Sequence, residues 1–499
     1  MNASQKPRIR YGVRDGKLVP VRAYYEGATT RGRMRTKGAN LSGINTAVGN
    51  SLETLQSRSR NAIANNAYAK SAKETYVSNL IGTGIKPQWS DPRIQNLWDR
   101  WVKECDAEGV SCFYGLQSLA AGAQFESGEV LGRFRFRRLS DGLSVPLQLQ
   151  VMESDHLDPT FNKQMENGHQ IKMGIEFDLL GKRSAYHLWR NHPRERLGPT
   201  MNTRVPVNAD DIVHLYHRTR PGQIRGLPEL TSVIVRLYEI DEMQDALLAR
   251  QKLAQLFGAF VKRKTTHDPT DEGPHFGTLV QGPGEEEGIS EFVPGGIHYL
   301  EDDEEVSFSN PPDIGAHYTP WIRSELLAIA RGAGVTAEQL TGDLSQVNYS
   351  SIRAGLLEFR RRMEALQMQL LVHQWCQRIA EKWLDTAVAS GALKWLEPNY
   401  SQIKSDLLNI DWIPQKWDWV DPLKEVTAAL LEVRSGFKPR TEAAGERGWS
   451  LEQLDKEIQK ANASADEHGL VLDSDPRITQ KNGAIQSALN ILAQDEEDQ

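Results

Sequence analysis

The residues best placed by type and spacing to do chemistry are the carboxylates of MESDHLDP: Glu153, Asp155 and Asp158. Hard divalent cations want clustered carboxylates, so this string could hold the metal of a nuclease. The favoured reading is a turn held by side-chain-to-backbone hydrogen bonds, because Asp before Pro is ordinary turn chemistry. His214 and His217 stand three apart in IVHLYHR. On a strand that spacing sends the two rings to opposite faces, so they read as structural histidines and not as a metal site. The run Arg360, Arg361 and Arg362 lies in a helical pattern with Glu358 and Glu364 close by. A solvated or intersubunit ion-pair face is favoured there over contact with DNA. Trp412, Trp417 and Trp419 have little positive charge around them, which favours packing over base stacking.

Other chemistry lacks its motif. In GIEFDLLGKRS, Glu176 stands where the first glycine of a phosphate loop would fall, so no ATPase loop is present. There is no HExxH, GxSxG, CxxC or dinucleotide fingerprint, and the reading is of a protein that is not an enzyme and needs no cofactor or metal. The three cysteines, Cys105, Cys112 and Cys376, fit neither a disulfide framework nor a zinc site and suit a reducing cytoplasm. No apolar run approaches the roughly 20 residues of a membrane-spanning helix.

Any such chemistry would have to be positioned by several modules, since 499 residues exceed what one compact core organises. The net charge of −7 argues against a surface that wraps nucleic acid. Its distribution says more: residues 1–40 carry ten Lys or Arg against Asp15 and Glu26, while residues 281–309 carry nine acids and no Lys or Arg. The first segment reads as a flexible basic arm, the second as a loop or a docking surface for a basic partner.

Between them the pattern alternates. Residues 46–82 predict one amphipathic helix, and 93–126 predict two helices parted near Gly109. Residues 129–216 hold β-rich runs, VLGRFRFRRL, LQLQVME, IKMGIEFDL, SAYHLWR and IVHLYHR, bounded by turn dipeptides. The first 226 residues therefore read as an α+β module. A long helical stripe then runs from Pro228 to Lys262, about 50 Å if unbroken. An acidic, Gly- and Pro-rich excursion with strand candidates EFVPGGIHYL and EVSFS follows, then a helix from His317 to Gly334. After the polar break LTGDLSQVNYSS the strongest helical signal spans Ile352 to Val388, about 55 Å. Short helical patterns at 423–434, 440–447 and 450–462 come after DWIPQKWDWVDPLKEV, and the chain ends in DEEDQ. Helices of such length need lateral partners to cover their apolar faces.

Four strings in this order, NAYAKSAKETYVSNLIGTGIKPQ at 66–88, HRTRPGQIRGLPEL at 217–230, NYSSIRAGLLEFRRR at 348–362 and WDWVDPLKE at 417–425, resemble the portal proteins of lambda-like tailed phages. RPGQIRG before the long helix and WVDPLKE before the helical end are the most specific of them, and the resemblance covers about residues 40–470. It implies an α+β, mainly helical, elongated portal fold with an α+β wing, long stem helices, a small β-containing clip and a helical crown, assembled as a ring. The implied division is a flexible basic arm at 1–45, wing at 46–226, first stem helix at 227–262, clip at 263–315, second stem helix at 316–340, tunnel loop at 341–351, long helix at 352–390, crown at 391–475 and an acidic tail at 476–499.

The resemblance also implies a function: a channel at one capsid vertex for packaging and ejecting DNA, in the virion after assembly in the host cytoplasm. Its implied partners are further copies of itself, usually in a dodecameric ring, the packaging motor (terminase large subunit), head-completion or adaptor proteins, the major capsid protein, and double-stranded DNA passing through without sequence readout; no membrane is implied. Gln346, Asn348, Tyr349 and Arg353 are the implied channel-facing residues, and Glu285, Glu286, Glu287, Asp302 and Asp303 the implied motor-docking acids. A packaging nuclease using Glu153, Asp155 and Asp158, or another head-tail assembly protein, is the alternative.

Overall fold

A computed structural model describes residues 11–14, 17–20, 43–195, 202–256, 259–263, 304–308, 318–345, 347–415, 417, 422–447, 449 and 451–470. Within the expected flexible arm, β1 (Tyr11–Arg14) and β2 (Lys17–Pro20) pair as an antiparallel hairpin. Asp15-Gly16 between them is a two-residue hairpin signal. The single helix expected over 46–82 is two, α1 (Ile44–Asn65) and α2 (Ala67–Leu80). Asn66 sits between them in extended conformation, and its side-chain oxygen accepts from the Ala69 amide to cap α2. A polar residue inside a helical period is invisible as a break until its cap is seen. After β3 (Lys86–Gln88), α3 (Pro92–Trp101) and α4 (Phe113–Ser127) follow, with Gly109 at positive φ between them.

Two sheets come next. Strand β4 (Glu129–Phe136) lies between β5 (Leu147–Glu153) and β11 (Ile212–Tyr216). The second sheet runs in order from β10 (Arg204–Asn208) through β9 (Arg183–Trp189), β8 (Ile175–Phe177) and β7 (Gln170–Lys172) to β6 (Lys163–Gln164), all antiparallel. IKMGIEFDL, which reads as one run, is a hairpin, because Met173 and Gly174 both adopt positive φ and make a two-residue turn. Leu131, Met152, Leu157, Ile175, Tyr186, Leu188, Val207 and Ile212 form a small core at these sheets.

The second stage of the chain is helical. α5 (Ile234–Leu256) is followed by β12 (Ala259–Arg263) and β13 (Glu304–Phe308), which pair antiparallel from Ala259↔Phe308 to Arg263↔Glu304. The helix expected to run to Lys262 thus ends at Leu256. Apolar Phe260 and Val261 fit a helical stripe as well as a strand, and their strand partners lie more than 40 residues ahead. EVSFS is a strand as expected, whereas EFVPGGIHYL lies outside the described residues. α6 (Tyr318–Ala333) and the short α7 (Ala337–Thr341) lead to α8 (Tyr349–Leu366), a π-helical stretch over Gln367–Cys376, and α9 (Gln377–Ala389). The long third helix therefore exists over 349–389 but is interrupted. Inside the π stretch, buried Gln367 donates to Leu80 O, and wider i→i+5 turns of this kind accommodate such insertions. The last described elements are α10 (Tyr400–Leu407), β14 (Asp411–Ile413), α11 (Pro422–Arg434), α12 (Arg440–Gly445) and α13 (Leu451–Glu467).

The main core joins both halves. Trp98 is fully buried with Trp89, Trp101, Trp383, Trp412 and Phe113 around it at ring-centroid distances of 5.0–6.3 Å. Trp412 is thus a packing residue, and β14 carries it onto β3. The Trp417 indole donates to Asn79 Oδ1, while Trp419 lies outside the described residues.

Candidate functional site

The loop expected to face a channel is built locally. Thr336 and Gln339 form a reciprocal cap on α7, and Gly342 ends that helix at φ +73°. Asn348 is exposed at the start of α8, where its side chain accepts from Ser351 N at 2.8 Å. Its first role is therefore a helix cap. Arg353 is half-buried one turn on. Tyr349 opens α8, but its side chain, like Gln346, Glu285, Glu286, Glu287, Asp302 and Asp303, lies outside the described residues.

The three carboxylates of the nuclease alternative do not converge. Asp158 turns away to accept from Thr160 N and Oγ1 at 2.8 and 2.6 Å and to pair with Arg204 at 2.7 Å. It is the Asp turn that the sequence favoured. Glu153 and Asp155 do come together, with His192, within 4.8 Å. Arg60 already bridges both carboxylates, and Arg194 lies 3.3 Å from Asp155. The arginines hold the Asp155 carboxyl below its ordinary value against the opposing effect of burial, which is the larger single influence. The positive charge a divalent ion would bring is supplied here by guanidinium groups.

His214 and His217 diverge, as their strand spacing required: His214 Nε2 meets Glu129 at 3.1 Å and His217 Nδ1 meets Glu229 at 3.6 Å. The first pair opens onto a tightly bonded, buried junction formed by RPGQIRG. The Gln223 side-chain oxygen accepts from Thr219 N and Oγ1, and its amide donates to Arg225 O at 2.8 Å. This fold of the loop drives Arg225 inward until its side chain is 1% exposed. There Nε donates to Glu129 at 2.8 Å, Nη1 to Met173 O at 2.9 Å and Nη2 to Leu157 O at 3.0 Å. Gly226 N also donates to Glu129, at 2.9 Å. One guanidinium thereby ties the central strand of the first sheet to the second sheet, directly before the chain turns into α5.

The backbones cross here too. A Cβ on Gly226 would lie 2.0 Å from Gly128 O, and one on Gly128 (φ +86°) 2.2 Å from the Leu227 carbonyl carbon. No residue but glycine fits at either position without moving main chain. The resemblance marked this string as specific but assigned Arg225, Gln223, Glu129 and Gly128 no part. The available signal was a glutamate and an arginine embedded among glycines and apolar residues.

The electrostatics predict an acid-sensitive junction. Burial, partly opposed by Glu129, lowers the His214 pKa to about 4, and Glu129, despite burial, is lowered to about 2 by Arg225 and His214. The folded state thus resists protonating either group. His214 favours folding fully above pH about 6.5 and loses that contribution as pH falls towards 4. Glu129 then loses its own between about 4.5 and 2. Urea midpoints measured from pH 7 to 4 should fall, and His214→Gln should flatten the part of the curve between pH 6.5 and 4. An unchanged slope in that variant would remove His214 from the account.

A chain with an α+β body, a buried sheet–helix junction and small sheets among long helices has the α+β, mainly helical fold that the resemblance implied. The model of the phage portal protein, lambda family, matches residues 30–367, and the chain belongs to that family. A probable portal protein of Halomonas phage phiHAP-1 is 28% identical over 407 residues, 77% of this chain and 75% of that one. Portal protein B of Escherichia phage lambda is 18% identical, over 80% of this chain and 81% of the relative. Among solved structures, a chain of the virion of a native gene transfer agent particle matches with TM-score 0.44 and 16% identity, covering 83% of this chain and 97% of the other.

Proposed function

We propose that the chain is one subunit of a ring, usually of twelve copies in this family, that forms the DNA channel at a capsid vertex of the virion after assembly in the host cytoplasm. The observation that carries the reading is the state of α5. Ile234, Leu237 and Ile240 are buried at its start, yet Val235, Tyr238 and Leu248 are 66%, 60% and 54% exposed, and no residue from 241 to 252 is buried. α6 beside it, joined by Arg236–Glu325 at 2.6 Å, exposes Trp321 and Leu327. Apolar side chains on a helix face that the described residues leave bare support completion by a symmetric neighbour.

On this reading α5 and α6 act as stem helices and the excursion between β12 and β13 as the clip. Glu285, Glu286, Glu287, Asp302 and Asp303 would there offer negative charge to the packaging motor and later to head-completion proteins, while the body meets the major capsid protein. Gln346, Asn348, Tyr349 and Arg353 would face passing double-stranded DNA. Polar, mostly uncharged groups suit that task, since each fixed phosphate contact has to be broken as DNA advances. The role is mechanical, without catalysis or cofactor.

Light scattering and negative-stain microscopy of the full chain test this. Rings with a central hole of roughly 20 Å or more, the width of duplex DNA, are expected. Tyr238→Glu with Leu248→Glu should shift rings to monomers while leaving the circular dichroism spectrum unchanged. A wild-type chain that stays monomeric at every concentration and salt would overturn the reading.

A further inference from the structure

The segment GRFRFRR places Arg133, Arg135 and Arg137 at alternate positions along β4 and its continuation, where Arg137 N still pairs with Pro146 O. Alternate residues of a strand share one face, so the three side chains lie in a row about 6.8 Å apart. This is the outer face of the three-stranded sheet. The opposite face carries Val130 and Phe134 into the main core. Further along the outer face, Leu131, with Ile212 and Met152 on neighbouring strands, enters the smaller core, but Arg133 and Arg135 are only half-buried and Arg137 is exposed.

What orients Arg135 and Arg137 is neutral. Arg135 Nε donates to the Gln150 side-chain oxygen at 2.9 Å, and Arg137 Nε donates to that of Gln148 at 2.7 Å. Gln148 is itself anchored, its amide donating to Glu104 O and Asp106 O at 2.8 and 2.9 Å. Among the described residues no carboxylate forms a salt bridge with Arg133, Arg135 or Arg137. After burial, the like charges of Arg133 and Arg137 are what lower the Arg135 pKa. Three aligned cations with no salt-bridge partner among the described residues repel one another; each keeps unspent N–H donors, on forks that glutamines already hold at Arg135 and Arg137.

We propose that Arg133, Arg135 and Arg137 form a binding strip for the sugar-phosphate backbone of nucleic acid. A single phosphate would satisfy one guanidinium. A chain of phosphates repeating at a spacing close to that of alternate strand residues satisfies all three, each with the paired N–H donors that guanidinium offers phosphate. Anchoring by glutamine in place of glutamate leaves the full positive charge for the ligand. The strip is distinct from the loop at 341–351. It is read from one strand of one chain, so it stands whether or not the ring reading holds, which here supplies only the choice of duplex DNA as probe.

The test is fluorescence anisotropy of a 30-base-pair duplex with the full chain, titrated from about 50 to 200 mM salt, the range over which phosphate contacts change affinity steeply. Comparing variants in the full chain keeps the basic residues 1–40 constant. Each phosphate contact contributes about 0.9 to the slope of log affinity against log salt. The triple variant Arg133→Gln, Arg135→Gln, Arg137→Gln should therefore lower the slope by about 2.7 and weaken binding at least tenfold at the lowest salt. The triple lysine variant should keep most of the slope. Arg137→Gln alone, at an exposed position, should lower it by about 0.9 even if the triple variant fails to fold. Slopes unchanged in both glutamine variants overturn the proposal. So does a triple variant that loses self-association, seen by light scattering, while binding DNA with the wild-type slope, since the row would then serve contact between subunits.

Discussion

Replacing Arg225 by methionine is expected to destabilise the body of the protein by about 3–5 kcal/mol, the usual cost of removing one partner from a buried ion pair. The arithmetic is one-sided. In the folded chain Glu129 is 1% exposed and accepts from the guanidinium, from His214 and from Gly226 N. Without Arg225 the carboxylate keeps two weaker donors and no full positive charge, and Met173 O and Leu157 O lose their donor. The readout is the urea midpoint of the first unfolding transition, since a chain of several modules need not unfold in one step. Replacing both groups, Arg225→Met with Glu129→Leu, should recover much of the loss, because no charge is then stranded. A single variant within 1 kcal/mol of wild type would show that the junction tolerates an unpaired carboxylate. The pair would then not be what joins the two sheets.

The second large effect is steric. Gly226→Ala is expected to cost about 3 kcal/mol or more, the range of enforced backbone strain and overpacking. The new methyl would meet Gly128 O at 2.0 Å, Gly128 C at 2.6 Å and Tyr216 Cβ at 2.9 Å. The first two are main chain and cannot rotate aside. Gly355→Ala is the matched control: it lies within α8 with nothing inside 4 Å of the added carbon, so a gain of about 0.5–1 kcal/mol is expected from helix propensity alone. Urea midpoints moving in opposite directions would confirm that contact at residue 226, and not loss of glycine as such, sets the cost. If Gly226→Ala matched wild type, the two backbones would have room that their crossing does not show.

The two experiments bear on function because Glu129, Arg225 and Gly226 lie where the sheets hand over to α5. Ile234, Leu237 and Ile240 anchor that helix in the main core, and the rest of it extends without buried residues through 252. A loosened anchor at residue 226 would let the exposed length of α5 change direction, so ring formation should weaken in the same variants that lower stability.

Much of this organisation was legible in sequence. The order helix, excursion, helix, loop, long helix followed from periodicity, as did the α+β character of the first 226 residues and the three short helices at the end, because each is specified by side chains a few positions apart. Where the sequence reading erred, the deciding interaction was distant. The end of α5 at Leu256 depends on strand pairing of Arg263 with Glu304. The π stretch after Leu366 accompanies a bond from Gln367 to Leu80 O, 287 positions away. The break at Asn66 is accompanied by a bond to Asp241.

The candidate sites divide in the same way. The turn at Asp158 and the divergence of His214 from His217 were decided by spacing, since a turn and a strand alternate within a few residues. That Glu129 receives Arg225 across 96 positions, that Gly128 and Gly226 touch, and that Arg135 and Arg137 rest on glutamines in place of acids were decided only by tertiary structure. Sequence by itself determined the order of most helices and strands and which family they make, but not where every element ends. The chain's crossings determined which charges are buried, paired or left open, because desolvation and Coulomb energy depend on distances in space that no local pattern encodes.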